Sequence, residues 1–323
     1  MTALSRRTLL AGLAATPLLA ACGRADPGTA AAPASSAPAR FSYTDARGTT
    51  IDLDRVPTSV VAQSSAAAAL WDAGFRVKGA YGELQAKDGK LDYQAGSLDL
   101  SQISVIGQTF GDLSLEKLAA TAPQLLIDLS FDNKTLWYVD AKVEQQVKAL
   151  CPTLGMKMLD RDLVAIIDAF ADLAVELGAD PAVSASAKGQ FDAASTELKT
   201  AIAGAKGAKV AALSFDATNA YVANPDQAPD LAYLKTLGAE FVTPDTKDYF
   251  ATVSYEKVRD YAGDIIVLDA RNTYTDYQKS AVWKSMPAVK AGRVFAWKPA
   301  APYSYAASVP ILQGFGEAYA SVA

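Results

Sequence analysis

The sequence predicts an α/β protein of two similar lobes, with parallel sheets flanked by helices, joined by one long backbone helix. Three observations carry this. First, Asp180 can cap a helix start and Pro181 fits its first turn. Val183, Ala187, Phe191, Ala194, Leu198 and Ile202 then recur at steps of three and four, and Gly204 and Gly207 end the run. At about 1.5 Å per residue such a helix spans roughly 30 Å, the width of a small domain. Second, one short pattern stands on both sides of this helix at a constant offset. Before it come Ser114-Leu115-Glu116-Lys117-Leu118, Ala122 and the run Leu125-Leu126-Ile127-Asp128; after it come Ser254-Tyr255-Glu256-Lys257-Val258, Ala262 and Ile265-Ile266-Val267-Leu268-Asp269. Each copy reads as a capped helix, a turn and a buried strand. Ser-x-Glu alone is a common helix start; the shared strand behind it is what points to two related lobes. Third, strand-like and helix-like runs alternate along the chain, as parallel sheets covered on both faces require.

Residues 1–21 read as a targeting segment. Ser5-Arg6-Arg7-Thr8-Leu9-Leu10 is a twin-arginine pattern, followed by an apolar stretch and by Leu19-Ala20-Ala21-Cys22-Gly23. A charged start, an apolar middle and small residues before a Cys resemble a bacterial lipoprotein signal. In such a signal Cys22 takes a diacylglycerol and becomes the new N-terminus, at the outer face of the cytoplasmic membrane. An ordinary secretory signal with a chance Cys is the alternative, and the apolar run is too short to span a bilayer. The twin-arginine and general export routes both remain open. Residues 22–40 are mostly Ala, Pro, Ser and Gly and read as a disordered tether. With Cys22 lipidated, Cys151 has no partner for a disulfide and reads as a small buried residue.

The N-terminal lobe is expected over 41–179. Phe41–Asp45 and Thr49–Leu53 around Gly48 form a hairpin. Val60–Ala62 is a strand, Ser65–Ala73 a helix closed at Gly74, and Val77–Tyr81 a strand. A polar excursion, 82–102, follows; the second lobe has only the short stretch from Gly238 to Ser254 where the first runs from Gly74 to Ser114. Long loops of this kind are usually functional or mobile. Ile103–Gly107 and Leu125–Leu129 are strands, Leu136–Leu150 a helix, Met156–Leu159 a short strand, and Leu163–Leu177 an amphipathic helix. The backbone helix covers 180–203 and the C-terminal lobe 204–323. That lobe carries strands at Val210–Phe215, Glu240–Thr243, Ile265–Asp269 and Val294–Trp297. Its helices are Pro229–Leu237, Ser254–Tyr261, Thr275–Met286 and one after Ser308.

Composition narrows the chemistry. Half of the 323 residues are hydrophobic, enough for two cored lobes. The formal charge of −5 argues against nucleic acid as a partner. There is no His, which removes a Ser-His-Asp triad, an imidazole metal ligand and a His acid or base. No Gly-x-Ser-x-Gly elbow, phosphate-binding glycine loop or Cys-x-x-Cys is present. Paired carboxylates such as Asp128 and Asp132 leave open a secreted hydrolase acting on glycans or esters. Ligands of parallel sheets bind beyond the carboxyl ends of the strands. That rule selects Tyr81, Thr109, Phe131, Lys134 and Trp137 in the first lobe, and Tyr221, Arg271, Tyr274, Lys298, Tyr303 and Tyr305 in the second. The set is aromatic with scattered cations and suits a bulky, partly apolar ligand rich in oxygen acceptors or negative charge.

Several stretches together resemble the substrate-binding lipoproteins of ABC importers in the class with a single helical backbone, the periplasmic binding proteins of ferric siderophores, haem and cobalamin. They are Arg55-Val56-Pro57, Val77-Lys78-Gly79, the Ser114–Leu118 and Ala122–Ile127 run, the long helix, and Met286-Pro287-Ala288-Val289-Lys290-Ala291-Gly292-Arg293-Val294. The resemblance covers nearly all of the chain after the signal. It implies a non-enzymatic monomer that delivers its ligand to permease subunits, docking through one exposed Glu per lobe. Glu116 and Glu256 match by position; each could equally serve as a capping-box Glu for its own helix. A ferric siderophore is the expected ligand, with haem or cobalamin as alternatives, because tyrosines and cations suit an oxygen-rich chelate and no His offers an axial donor. No cofactor and no direct protein–metal bond are expected, since the chelator wraps the iron. Relatives that bind hydroxamate chelates often have an Arg in the loop before the first Ser-x-Glu; here that loop is Gln108–Asp112.

Overall fold

The structure, a computed structural model, describes residues 40–323. The signal segment, Cys22 and the tether, Arg40 apart, lie outside the described residues. A hairpin of β1 (Phe41–Thr44) and β2 (Thr50–Leu53) precedes the first sheet. The chain then runs through β3 (Val60–Gln63), α1 (Ser64–Asp72), β4 (Gly79–Tyr81), β5 (Ser104–Val105), α2 (Leu115–Ala120), β6 (Leu125–Ser130), α3 (Glu144–Leu150) and β7 (Thr153–Lys157). These five strands are all parallel, in the order β5-β4-β3-β6-β7. Next come α4 (Leu163–Glu176) and the backbone helix α5 (Pro181–Gly204). The second lobe holds β8 (Lys209–Phe215), β9 (Ala220–Ala223), α6 (Pro229–Thr236), β10 (Glu240–Phe241), β11 (Phe250–Val253), β12 (Ile265–Asp269), α7 (Ala281–Ser285), α8 (Pro287–Lys290), β13 (Val294–Trp297) and α9 (Tyr305–Ala320).

Strand residues alternate between faces, and the alternation decides which core each joins. In the first sheet Val61, Leu126 and Ile106 face an outer cluster, while Val60, Ala62, Leu125 and Ile127 face inward. In the second, Ala211, Leu213 and Ile266 face outward, and Val210, Ala212, Ile265 and Val267 inward. The two inward faces belong to one cluster, bridged by Phe170 of α4, Phe191 and Leu198 of α5, and Leu312 and Phe315 of α9. The backbone helix touches both lobes. Val183 lies against Gly74 of the first, and Ile202 against Gly238 of the second. Its middle packs through Phe191, whose ring meets Tyr233 at 5.4 Å and Tyr305 at 5.2 Å. The repeat is real at the strands: β6 and β12 occupy matching central places in their sheets.

The excursion 82–102 is a built structure. It carries a short 3₁₀ turn, Tyr93–Ala95, and buries Leu84, Gln94 and Leu98. It also reaches the second lobe. The Tyr93 hydroxyl donates to the Pro299 carbonyl at 2.7 Å. Gly96 takes a positive φ of 50°, and a Cβ there would stand 2.7 Å from the Pro302 ring, so only glycine admits this approach. Asp72 accepts hydrogen bonds from Ser97 and, at 2.5 Å, from Ser304, which caps α9. The excursion thus straps the lobes together.

Several elements differ from the sequence expectation. The helix expected over Leu136–Leu150 forms only from Glu144. Upstream of it Asp132 accepts the Lys134 and Thr135 N–H groups at 2.8 Å, Asp128 accepts that of Tyr138 at 3.0 Å, and Trp137 N–H donates to Leu129 O. Those donors are withdrawn from any helix. The helix expected over Thr275–Met286 is broken by Ser280, in extended conformation, which caps the short α7. The Ser254–Tyr261 helix is a 3₁₀ turn from Lys257 to Tyr261. The short strand expected over Met156–Leu159 lies at Thr153–Lys157 instead. In the second lobe β8, β10, β12 and β13 are parallel, and β9 and β11 add an antiparallel edge that periodicity alone did not reveal.

Two predictions follow from this packing. Phe191→Ala should lower unfolding free energy by about 3–5 kcal/mol, as other large core truncations do; a denaturation midpoint close to that of the parent would disprove the joint's importance. Asp128 is fully buried, and burial raises its pKa to about 7 against the pull of the Leu129 and Tyr138 N–H groups. A raised folded pKa favours the protonated form, so its stabilisation is present below about pH 4 and is lost as pH rises through 7. The stability advantage of the parent over Asp128→Asn should therefore shrink between pH 4 and pH 7, measured by urea denaturation; a pH-independent difference would refute this.

Candidate ligand-binding cleft

The ends of β6, β7, β12 and β13 open on a cleft of about 600 Å³ between the lobes, a size suited to a drug-sized or larger ligand. Phe131 and Trp137 form the first-lobe wall, ring centroids 5.3 Å apart, beside Tyr138, Met158 and Arg161. Asp128 positions this wall, because its carboxylate holds the Tyr138 N–H. Tyr138 in turn donates its hydroxyl to Gln94 at 3.0 Å. The second-lobe wall consists of Tyr249 and Phe250, the start of α6 with Asp230, and Arg271, Lys298 and Tyr303. Tyr249 stacks on Trp297 with 10° between ring planes. Tyr303 stacks on Phe170 of α4, so one wall rests on the shared core.

The polar groups are fixed before any ligand arrives. Arg271 is held by Asp269, two residues earlier at the end of β12. Its Nε donates at 2.9 Å and a terminal nitrogen at 2.6 Å. Burial works against the guanidinium charge, but the hydrogen bonds and charge of Asp269 outweigh it and raise the pKa. Arg271 therefore stays charged with its fork anchored. Burial raises the phenol pKa values of Tyr138, Tyr249 and Tyr303, so each remains a protonated donor. Burial also raises the Asp230 pKa, opposed by the hydrogen bond from Trp297 Nε1 at 2.6 Å.

Of the residues selected from sequence, Phe131, Trp137, Arg271, Lys298 and Tyr303 line the cleft. The others lie elsewhere. Tyr81 is fully buried in the outer first-lobe cluster. Thr109 is exposed on the loop after β5, and Lys134 lines a separate groove by the β1–β2 hairpin. The Tyr221 hydroxyl donates to Asp216 at 2.5 Å, and Tyr274 packs on the outer second-lobe cluster. Tyr305 is buried in the first turn of α9, donating to Asp168 at 2.5 Å. The strand-end rule located the cleft but not which way each side chain points. It missed Tyr138, Met158, Arg161, Asp230 and Tyr249, which sit on loops, a helix start and the entry to a strand that periodicity did not flag. Asp128 and Asp132, the paired carboxylates, do not line the cleft; both are spent on backbone N–H groups. Glu116 and Glu256 are exposed, one per lobe. In α2 the cap bond runs from Lys117 N–H to Ser114 Oγ. Glu116 thus sits one residue short of the position a reciprocal capping box needs.

Residues 60–301 match the protein family described as periplasmic binding protein. No curated protein matches. Among solved structures, DesE, a ferric-siderophore receptor protein from Streptomyces coelicolor, is 37 % identical with a TM-score of 0.81, over 87 % of this chain and 98 % of its own. FhuD2 from Staphylococcus aureus with bound ferrioxamine B is 18 % identical, covering 82 % of this chain and 99 % of its own, with a TM-score of 0.58. FhuD from Vibrio cholerae, a siderophore binding protein bound to Fe³⁺-Desferal, is also 18 % identical, with coverages of 82 % and 98 % and a TM-score of 0.60. The latter two show likeness of fold alone. The family match across both lobes, with 37 % identity to DesE over most of the chain, establishes that this chain belongs to the periplasmic binding protein family.

Proposed function

We propose that this protein captures a ferric siderophore outside the cytoplasmic membrane and delivers it to the permease of an ABC importer, without altering the ligand. The observation that carries the reading is the cleft itself: aromatic walls, protonated phenols and an anchored guanidinium, all in place between two lobes that share a core. A ferric chelate presents an apolar periphery and oxygen acceptors, which such walls match. The 37 % identity to a ferric-siderophore receptor supports the same ligand class. Phe131, Trp137, Arg271, Lys298 and Tyr303 make the contacts, joined by Tyr138 and Tyr249. The iron stays inside its chelator. Little lobe closure is needed, so affinity comes from pre-organisation. Cys22 carries the lipid that holds the protein at the membrane, and Glu116 and Glu256 present the charges that seat on the permease.

Trp137 is half-exposed on the cleft wall, which makes it a reporter. Titration with a panel of ferric siderophores should quench tryptophan fluorescence saturably, with Trp137→Phe losing much of the signal. Quenching by haem or cobalamin but by none of the siderophores would replace the ligand proposed here. For docking, Glu116→Lys combined with Glu256→Lys should abolish iron uptake in cells while leaving ligand affinity within about twofold, a limit small against the tenfold that corresponds to 1.4 kcal/mol. Normal uptake by the double variant would remove that role.

A further inference from the structure

The cleft is lined by cations and carboxylates in equal number: Arg161, Lys247, Arg271 and Lys298 against Asp160, Asp226, Asp230 and Asp248. The pairs they form elsewhere leave the balance unchanged, since Asp269 offsets Arg271 and Lys235 offsets Asp226. Asp160, Asp226 and Asp248 are exposed at the rim, where water and salt screen them. Asp230 differs. It sits in the first turn of α6, withdrawn between Tyr249, Tyr303 and the buried Trp297, and its carboxylate accepts the Trp297 indole N–H at 2.6 Å. Among the described residues it has no Lys or Arg nitrogen within ion-pair distance. Burial works against its charge, while the indole N–H, the backbone N–H groups of the helix start and the nearby Arg271 favour it, and of the four its field inside the cleft is screened least.

Resting on the siderophore reading above, we infer that Asp230 is a charge filter, a specificity-determining residue that turns the cleft against anionic ferric chelates and toward those with no net charge. Three singly charged hydroxamate groups neutralise Fe(III); three doubly charged catecholates leave the complex at 3−. Inside a partly desolvated cleft, a carboxylate without an ion-pair partner facing a trianion is repulsive, and such juxtapositions generate specificity more than affinity. The four cleft cations do not reverse this: Arg161, Lys247 and Lys298 are exposed like the three rim carboxylates, and Arg271 is already offset by Asp269.

The test uses two hexadentate ferric complexes built on one tripodal amine scaffold, a neutral tris-hydroxamate and a trianionic tris-catecholate, titrated by fluorescence quenching. The parent protein should bind the neutral complex more tightly. Asp230→Asn keeps an acceptor for the Trp297 N–H while removing the charge. It should narrow that preference at least tenfold, chiefly by tightening the trianion, with the neutral complex changed less than threefold. Asp248→Asn, at the exposed rim, should narrow it less than threefold. Asp230→Ser carries the same expectation as the amide variant should that variant fail to fold. A parent that binds the trianion as tightly as the neutral complex overturns the inference, as does an unchanged ratio in folded Asp230 variants; in both cases the siderophore reading survives. A parent that binds neither complex overturns both.

Discussion

One apolar core runs unbroken through both lobes, and the cleft depends on it. The inward faces of the two sheets do not close on separate interiors; they meet across α4, α5 and α9 in one cluster. Hinging the lobes widely would expose that cluster, at about 25 cal/mol for each Å² of apolar surface returned to water. The strap through Asp72, Ser97, Tyr93 and Gly96 ties the lobes a second time, through contacts the backbone helix does not make. Two attachments at different places restrict rotation far more than one. The cleft is therefore a fixed feature of the fold rather than something assembled on binding.

That rigidity explains how polar groups can be held in an aromatic cavity. Arg271 gives two donors to Asp269 and so gives up little freedom when a ligand engages the rest of its fork. Tyr303 rests on Phe170, and Tyr249 on Trp297, so the donors are carried on rings that cannot swing. Asp128 does the same for the opposite wall by spending a buried carboxylate on two backbone N–H groups. The cost of burying that carboxylate appears as its raised pKa. Side chains that touch the ligand are thus backed by residues that do not.

Local pattern was enough for the long helix, the parallel strands β3, β6, β8 and β12, and the first Ser-x-Glu helix, because each is fixed by neighbours a few residues away; the second Ser-x-Glu segment forms a 3₁₀ turn instead. It failed where hydrogen bonds compete. Leu136 and Val139 have helical spacing and are buried, yet their segment is a loop, since Asp128, Asp132 and Leu129 take its backbone donors. It failed again at β9 and β11, where Ala220–Ala223 and Phe250–Val253 are too short and too mixed to stand out and exist because they pair with each other and with β8.

The sequence by itself determined the fold class, the two lobes, the rod between them and the general place of the cleft, because hydrophobic periodicity and strand ends are local properties of the chain. Only the tertiary structure decided which aromatic side chains face the cleft. Tyr303 and Tyr305 are two residues apart and both buried, yet one lines the cleft and the other donates to Asp168 beneath it. The direction of a side chain is set by contacts with residues far away in the chain, and no spacing rule carries that information.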